Sequence, residues 1–465
     1  MTANSRRAAS AFVCFALLAA VAGAESMTFK PEDDSRTVRA DVRIGTQGKV
    51  IMNAGGGKTI HHDLNAQAEY TFAERRLAAG GRDAQSLRAV RDFAKAHVET
   101  TIEKNVSTID LPASTRIIVA SGQSAGVTNY SPQAKLTRDT CDLLEMPGDP
   151  LALAAMLPAN AVEEGTTWTP PEWASQMLGA VEAIETASMT CKLASLTDSL
   201  ATVELSGTIK GQRQGANCEV AIEGTLEYDR TNDLISAANL SYQVKSAVGT
   251  VNPGIEARVD ATIKRSVLTK PGRLTDDLIK SIPISPDDDS LALVFDAAPW
   301  GLRLNHSRGW YVFHAVLEGS PQIAILRLID RGSLIAQCNF SPIAPARAGE
   351  NTSLDQFEGD IKKSLGKRLK TITAREQVDV GEGMKVFRVV VEGSYTLKGS
   401  KGEELEVPTH WIYYLCAAPS GKQASFMFAV ESNLLEQLGQ QDEELVQSLQ
   451  FTAERSVPRA ADRTK

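Results

Sequence analysis

The residues best placed by type and spacing to do covalent chemistry are Gly122-Gln123-Ser124-Ala125-Gly126. They match the G-x-S-x-G elbow, in which a strained strand-to-helix turn lifts a serine hydroxyl for attack on an ester. The preceding Thr115-Arg116-Ile117-Ile118-Val119-Ala120 reads as a strand, Gly55-Gly56-Gly57 could offer oxyanion amides, and His306, His314 and His410 are the later bases available to Ser124. The context argues against the match. Val127-Thr128-Asn129-Tyr130-Ser131-Pro132 cannot continue as the required helix, and no alternating β/α pattern surrounds it. The glycine run also lacks a leading histidine, so the expectation is a small-residue hairpin loop and a serine hydrolase is the rival.

Other candidate chemistry thins in the same way. Gly55-Gly56-Gly57-Lys58-Thr59 imitates the end of a phosphate loop, but Met52 stands where that pattern needs glycine, so a turn is expected. His61-His62-Asp63 is the one histidine cluster; adjacent strand residues point to opposite faces and do not readily share a metal, which favours a polar strand edge. The acid pairs Glu163-Glu164 and Glu403-Glu404 fit the surface of an acidic chain. Trp168, Trp173, Trp300, Trp310 and Trp411 are read as core aromatics or as the lining of a ligand groove. No catalytic, cofactor-binding or metal-ligating residue is therefore assigned, no cofactor is expected, and the chain is expected not to be an enzyme.

The elements that would position such residues begin after a leader. Arg6 and Arg7 precede an apolar run from Ala11 to Ala22, and the small triplet Ala22-Gly23-Ala24 follows, which predicts a signal peptide over 1–24 cut before Glu25. The run is too short to span a membrane, and Val13 before Cys14 does not suit a lipobox. The expected localisation is periplasmic or extracellular. The formal net charge of −8, made more acidic by loss of the two leader arginines, argues against nucleic acid as a partner. The partner is left open between an apolar small molecule and an envelope protein.

Residues 25–265 read as an antiparallel β-rich domain. Thr202 to Ile209, Cys218 to Tyr228 and Asn239 to Val248 alternate apolar with polar residues, the pattern of a curved sheet or half-barrel with one wet face. Arg88 to Glu103 is read as strand, and Trp173 to Ile184, after Pro170-Pro171, as helix. A half-barrel packed on a helix resembles the lipoprotein carriers of the bacterial envelope, and places an apolar ligand in its concave face. Residues 266–296, with Lys270-Pro271-Gly272 and Asp287-Asp288-Asp289, form a linker; the aspartates lack EF-hand spacing and suit solvent or a helix cap.

Residues 297–453 predict strands at Gln322–Ile329, Leu334–Phe340, Met384–Tyr395, Val407–Ala417 and Gln423–Val430, the last two as a hairpin. Both alternating sets of several strands are apolar, so this sheet needs cover on both faces. Ser353 with Gln356 caps a helix running to Gly366, and Asn433 with Glu436 starts another. The sum is an α+β protein whose second domain is an α/β/α sandwich, with a disordered tail over 454–465. The Gly309-Trp310 turn before an apolar strand, and the order of strands and helices after it, resemble the PsbP-like sandwich family, which implies a non-catalytic binding or assembly module. Of the cysteines beyond the leader, Cys191 with Cys218 and Cys338 with Cys416 are the expected bridges, with Cys141 unpaired and buried free thiols as the alternative.

Overall fold

The computed structural model describes residues 26–55, 58–77, 83–283, 286–379, 383–398 and 403–453. The expected leader, the tail over 454–465, and Gly56 and Gly57 of the glycine run lie outside them. The first part is an open twelve-stranded sheet. Its long strands are β1 (Thr37–Gly55), β2 (Lys58–Arg76), β3 (Arg88–Ile102), β4 (Ile117–Gln123), β5 (Gly126–Tyr130), β6 (Ala183–Leu196), β7 (Leu200–Arg213), β8 (Ala216–Asp229), β9 (Leu234–Ser246) and β10 (Gly254–Val267). They lie in the order β5-β4-β3-β2-β1-β10-β9-β8-β7-β6, every pair antiparallel, so the first and last long strands meet at the centre.

Period-two patterning explains the sheet. On β8, Cys218, Val220, Ile222, Leu226 and Tyr228 are buried, while Glu219, Glu223 and Glu227 point to the other face. Arg88–Ile102 is a strand, as its alternation predicts. The apolar face packs on the chain's own residues 136–181, which carry three short helices, α1 (Arg138–Leu143), α2 (Pro150–Ala155) and α3 (Glu172–Gly179). This corrects two expectations. The helix foreseen to Ile184 stops at Gly179, because Ala180 turns left-handed and β6 begins at Ala183. The apolar face expected to hold a ligand is already covered by Leu144, Leu151, Leu153, Met156 and Leu178.

The foreseen linker carries regular structure and buries Leu274 and Ile282. It holds short helices at Asp276–Ser281 and Asp288–Leu291, and Asp287 caps the second by accepting from the Ser290 amide at 2.8 Å. The second part has a seven-stranded antiparallel sheet with a three-stranded sheet beside it. The latter joins β11 (Leu293–Ala297), β12 (Leu302–His306) and Gln450–Phe451. The former runs β13 (Trp310–Val316), β14 (Ile323–Asp330), β15 (Ser333–Ile343), then β19 (Gln423–Glu431), β18 (Glu404–Ala417), β17 (Lys385–Lys398) and β16 (Leu369–Asp379). The hairpin of β18 and β19 is as expected; β11, β12 and β16 are additional strands, and β11 occupies the end of the stretch expected as linker.

Both faces of this sheet are covered. Helix α4 (Leu354–Leu365) buries Phe357, Ile361 and Leu365 against Val389, Val391 and Trp411, and Ser353 accepts from the Gln356 amide at 3.2 Å. The opposite face packs Trp310, Phe340 and Phe428 beneath the small sheet and the terminal helices. The expected continuous terminal helix is broken. Gly439, at φ +56, separates Leu435–Leu438 from α5 (Gln441–Gln447).

The expected disulfides are excluded by register. Cys191 faces Leu205, which faces Gly224, six residues along β8 from Cys218. Two strands across and six residues along amount to roughly 10 Å by 20 Å, far beyond the ~7 Å that a bridge tolerates. Cys338 and Cys416 are likewise two strands and four residues apart. All five described cysteines are free and buried.

Candidate functional site

Along β2 the buried positions run Ala68, Tyr70, Phe72, then Glu74 and Arg76, so the apolar stripe ends in two charges with the same inward parity. Glu74 faces Arg91 directly across on β3, and Arg265 on β10 reaches the same place. Arg91 donates through Nε to Glu74 at 2.8 Å and through both terminal nitrogens to Asp149 at 2.7 Å each. Asp149 also accepts from the Leu151 amide at 2.9 Å, capping α2, so one carboxylate ties that helix to the sheet. Arg265 donates to Glu74 and to Glu32, both at 2.8 Å. Arg76 donates to Glu32 at 3.3 Å and to the Pro150 carbonyl at 3.2 Å.

Three guanidiniums thus meet three carboxylates. Burial opposes ionisation of Glu74, but Arg76, Arg91 and Arg265 outweigh it and bring its carboxyl down to about 2. Burial likewise works against the charge on Arg91, and Asp149 with Glu74 overcomes it, raising that group above the ordinary arginine value. Ion pairs this dry survive because each carboxylate is matched by guanidiniums, while Arg76 Nη1 and Arg265 Nε remain buried without a hydrogen-bond partner.

Above this network, where β2, β8 and β10 finish and β3 and β9 begin, lies a cavity of about 930 Å³. Its floor includes Glu32, Arg76 and Arg265, and its walls include Leu77, Leu87, Leu157, Pro158, Trp168 and Trp173. Phe29 and Tyr228, in edge contact at 5.0 Å between ring centroids, back one side. Trp168 is anchored by its indole N–H donating to the Met156 carbonyl at 3.0 Å. Apolar and aromatic walls beside a charged floor and rim, at this volume, give the form of a small-molecule site. Nothing in the arrangement presents a nucleophile beside a base; it can bind, and it can hold charge in a fixed place.

The residues singled out by sequence scatter elsewhere. Ser124 and Ala125 form an exposed two-residue loop between β4 and β5, with Gln123 opposite Gly126. Gly126 has φ +137, and a Cβ at Gly122 would stand 2.3 Å from the Ala84 carbonyl, so a hairpin and a close approach account for both glycines of the motif. Two of the candidate imidazoles have other partners, and the third, His314, is exposed on β13. His306 is buried with its Nδ1 at 2.9 Å from the Ser307 carbonyl, burial pushing it down to about 4, and His410 lies 3.1 Å from the Ser432 hydroxyl. His61 is exposed, while His62 sits 3.4 Å from Glu103. Lys58 and Thr59 open β2 as a hairpin with β1. Of the tryptophans, Trp168 and Trp173 line the cavity, whereas Trp300, Trp310 and Trp411 are core.

One cluster has metal-ligand composition: Cys141, Asp142 and Glu145 place ligand atoms within 4.8 Å of one another. Arg308 already donates to the Cys141 sulfur at 2.9 Å, Arg213 pairs with Glu145 at 3.2 Å, and Arg138 lies 3.8 Å from Asp142. These guanidiniums fill the positive role, and burial pushes the Cys141 thiol up, away from the thiolate a metal needs.

No family model matches this chain, and no curated protein matches it. Among solved structures, cyanobacterial PsbP (CyanoP) from Synechocystis sp. PCC 6803 is similar at 14% identity and TM-score 0.25, covering 37% of this chain and 97% of that one. The immunity protein TplEi of the T6SS of Pseudomonas aeruginosa is similar at 9% identity and TM-score 0.19, covering 59% and 98%. OccK5 (OpdH) of Pseudomonas aeruginosa is similar at 7% identity and TM-score 0.14, covering 85% and 97%. Scores this low carry no weight for function. Among the described residues, no helix is long and apolar enough to cross a membrane.

Proposed function

We propose that this chain is an exported, non-catalytic binding protein of the cell envelope that holds a small molecule with an apolar body in the cavity of its first part. The observation that carries this reading is the cavity itself, about 930 Å³ with leucine, proline and tryptophan walls over a floor whose charges are already paired. A paired floor is rigid, so the walls are held open without a ligand having to organise them. The second part, with its Gly309-Trp310 turn and two-sided cover, fits a PsbP-like sandwich that adds a binding or assembly surface.

Native mass spectrometry of the protein purified from its own host tests the reading. The expected spectrum shows a bound species of a few hundred daltons, which is displaced when Ala155→Trp fills the cavity wall. A spectrum of bare chain, together with no change in tryptophan emission when apolar dyes are added, would remove the cavity from consideration.

A further inference from the structure

The cavity floor also says which head group its ligand carries, an inference that rests on the binding reading above. In the network beneath the cavity three guanidiniums balance three carboxylates in charge, but not in hydrogen bonding. Arg91 meets Glu74 at 2.8 Å and Asp149 at 2.7 Å, and Arg265 meets Glu32 and Glu74 at 2.8 Å each. Arg76, which lines the cavity, meets no carboxylate that closely: Glu32 is 3.3 Å away and Glu74 3.6 Å, while the Pro150 carbonyl accepts at 3.2 Å. Charge-assisted bonds close to about 2.7–2.9 Å, so Arg76 is the loosely held cation of the three. Its side chain is nine-tenths buried, and its Nη1 has no hydrogen-bond partner, nor has Nε of Arg265.

What the floor lacks is an acceptor. A carboxylate brings acceptors alone, whereas an ammonium head brings only donors and repels the guanidinium. One guanidinium in this network readily carries two carboxylates, as Arg91 and Arg265 each do, so Glu32 on Arg76 does not preclude a second. Arg88, also in the lining, is bonded among the described residues only to the Gln85 carbonyl, at 3.1 Å, which adds a positive charge with no counter-ion. The rim acids do not outweigh these buried donors. Asp33 is engaged by Ser35 and Arg36 and Asp233 by Lys30, while Asp34 and Asp83 are exposed, where water and salt screen them.

We infer that the ligand is an apolar monocarboxylate, its carboxylate accepting from the Arg76 guanidinium and its hydrocarbon body lying against Leu77, Leu87 and Leu157. A small turn of that guanidinium, which its long contacts allow, presents Nη1 to the head. The test compares dodecanoate, methyl dodecanoate and dodecyltrimethylammonium below their micelle concentrations at neutral pH, followed by tryptophan emission with far-UV circular dichroism as the check on folding. In the unaltered protein dodecanoate should bind about tenfold more tightly than its ester, the gain of one charge-assisted bond, and the ammonium compound more weakly than either. Arg76→Lys keeps the charge beside Glu32 but removes the guanidinium fork, and should bring dodecanoate to within about twofold of the ester. Should that variant lose its circular dichroism, carboxyl-labelled dodecanoate on the unaltered protein takes its place, and its carbon-13 signal should titrate below the free acid. Equal or stronger binding of the ester or the ammonium compound overturns the carboxylate head and leaves the cavity as a ligand site. An undiminished dodecanoate advantage in folded Arg76→Lys, or a bound carboxyl that titrates at or above the free acid, overturns the role of Arg76. Failure of all three probes to bind overturns the cavity reading as well.

Discussion

Glu74 shows how much one inward-facing charge can decide. It is fully buried and serves Arg91 and Arg265 directly, with Arg76 3.6 Å away. Glu74→Gln would leave those guanidiniums short of a countercharge in a dry place, and a loss of about 3–5 kcal/mol is expected from broken buried pairs. The pH dependence has a definite sign. The carboxyl sits at about 2 in the fold against an ordinary 4.5, so its contribution is whole above pH 4.5 and drains away as pH falls toward 2. Denaturant unfolding across that window should show a steep loss in the unaltered protein and a flatter one in Glu74→Gln; parallel curves would refute the assignment.

At the scale of elements, the β4–β5 hairpin separates what a motif spells from what a backbone needs. Gly122 approaches the Ala84 carbonyl and donates its amide to the Leu87 carbonyl at 2.7 Å, so Gly122→Ala should cost about 1–3 kcal/mol through the displaced backbone. Ser124 lies exposed on the two-residue loop, and Ser124→Ala should change stability by less than about 0.5 kcal/mol. Thermal unfolding of the two variants checks this contrast, and a fluorophosphonate probe should label neither the parent nor Ser124→Ala. Stoichiometric labelling of the parent alone would restore the hydrolase.

Across the whole molecule, the two parts are joined by arginines. Arg308, in the turn after β12, donates to the Cys141 sulfur and to the Asn129 and Leu291 carbonyls, while Arg138 on α1 lies 4.2 Å from the Tyr311 ring centroid and donates to the Trp310 carbonyl at 3.0 Å. Arg308→Ala would strip several acceptors at once, at about 1–3 kcal/mol for each one left buried and unpaired. The expected outcome is a calorimetric trace that splits into two transitions; a single transition at an unchanged midpoint would show that the parts are coupled elsewhere.

The sequence by itself determined strands β3, β4, β7, β8, β9, β13, β14, β15, β17, β18 and β19, the polar outer face of the first sheet, the two-sided cover of the second, and the Ser353 cap, because each depends on neighbours two to four residues apart. It left β1, β2, β6, β10, β11 and β12 unnamed, and β16 as well, since Thr371, Thr373, Arg375 and Gln377 supply no apolar period. It also misjudged the terminal helix, which Gly439 divides. Tertiary structure alone decided the site. Glu74 and Arg76 look like solvated charges until their parity with Tyr70 and Phe72 is noticed, and Glu32, Arg91, Asp149 and Arg265 join them from segments far away in the chain. Only a folded sheet could show that segment 136–181 fills its apolar face, that the cysteines expected to pair are out of register, and that an open space remains at the strand ends. The physical reason is range: local patterning records which way a side chain points, while burial of a charge depends on which distant partner meets it there.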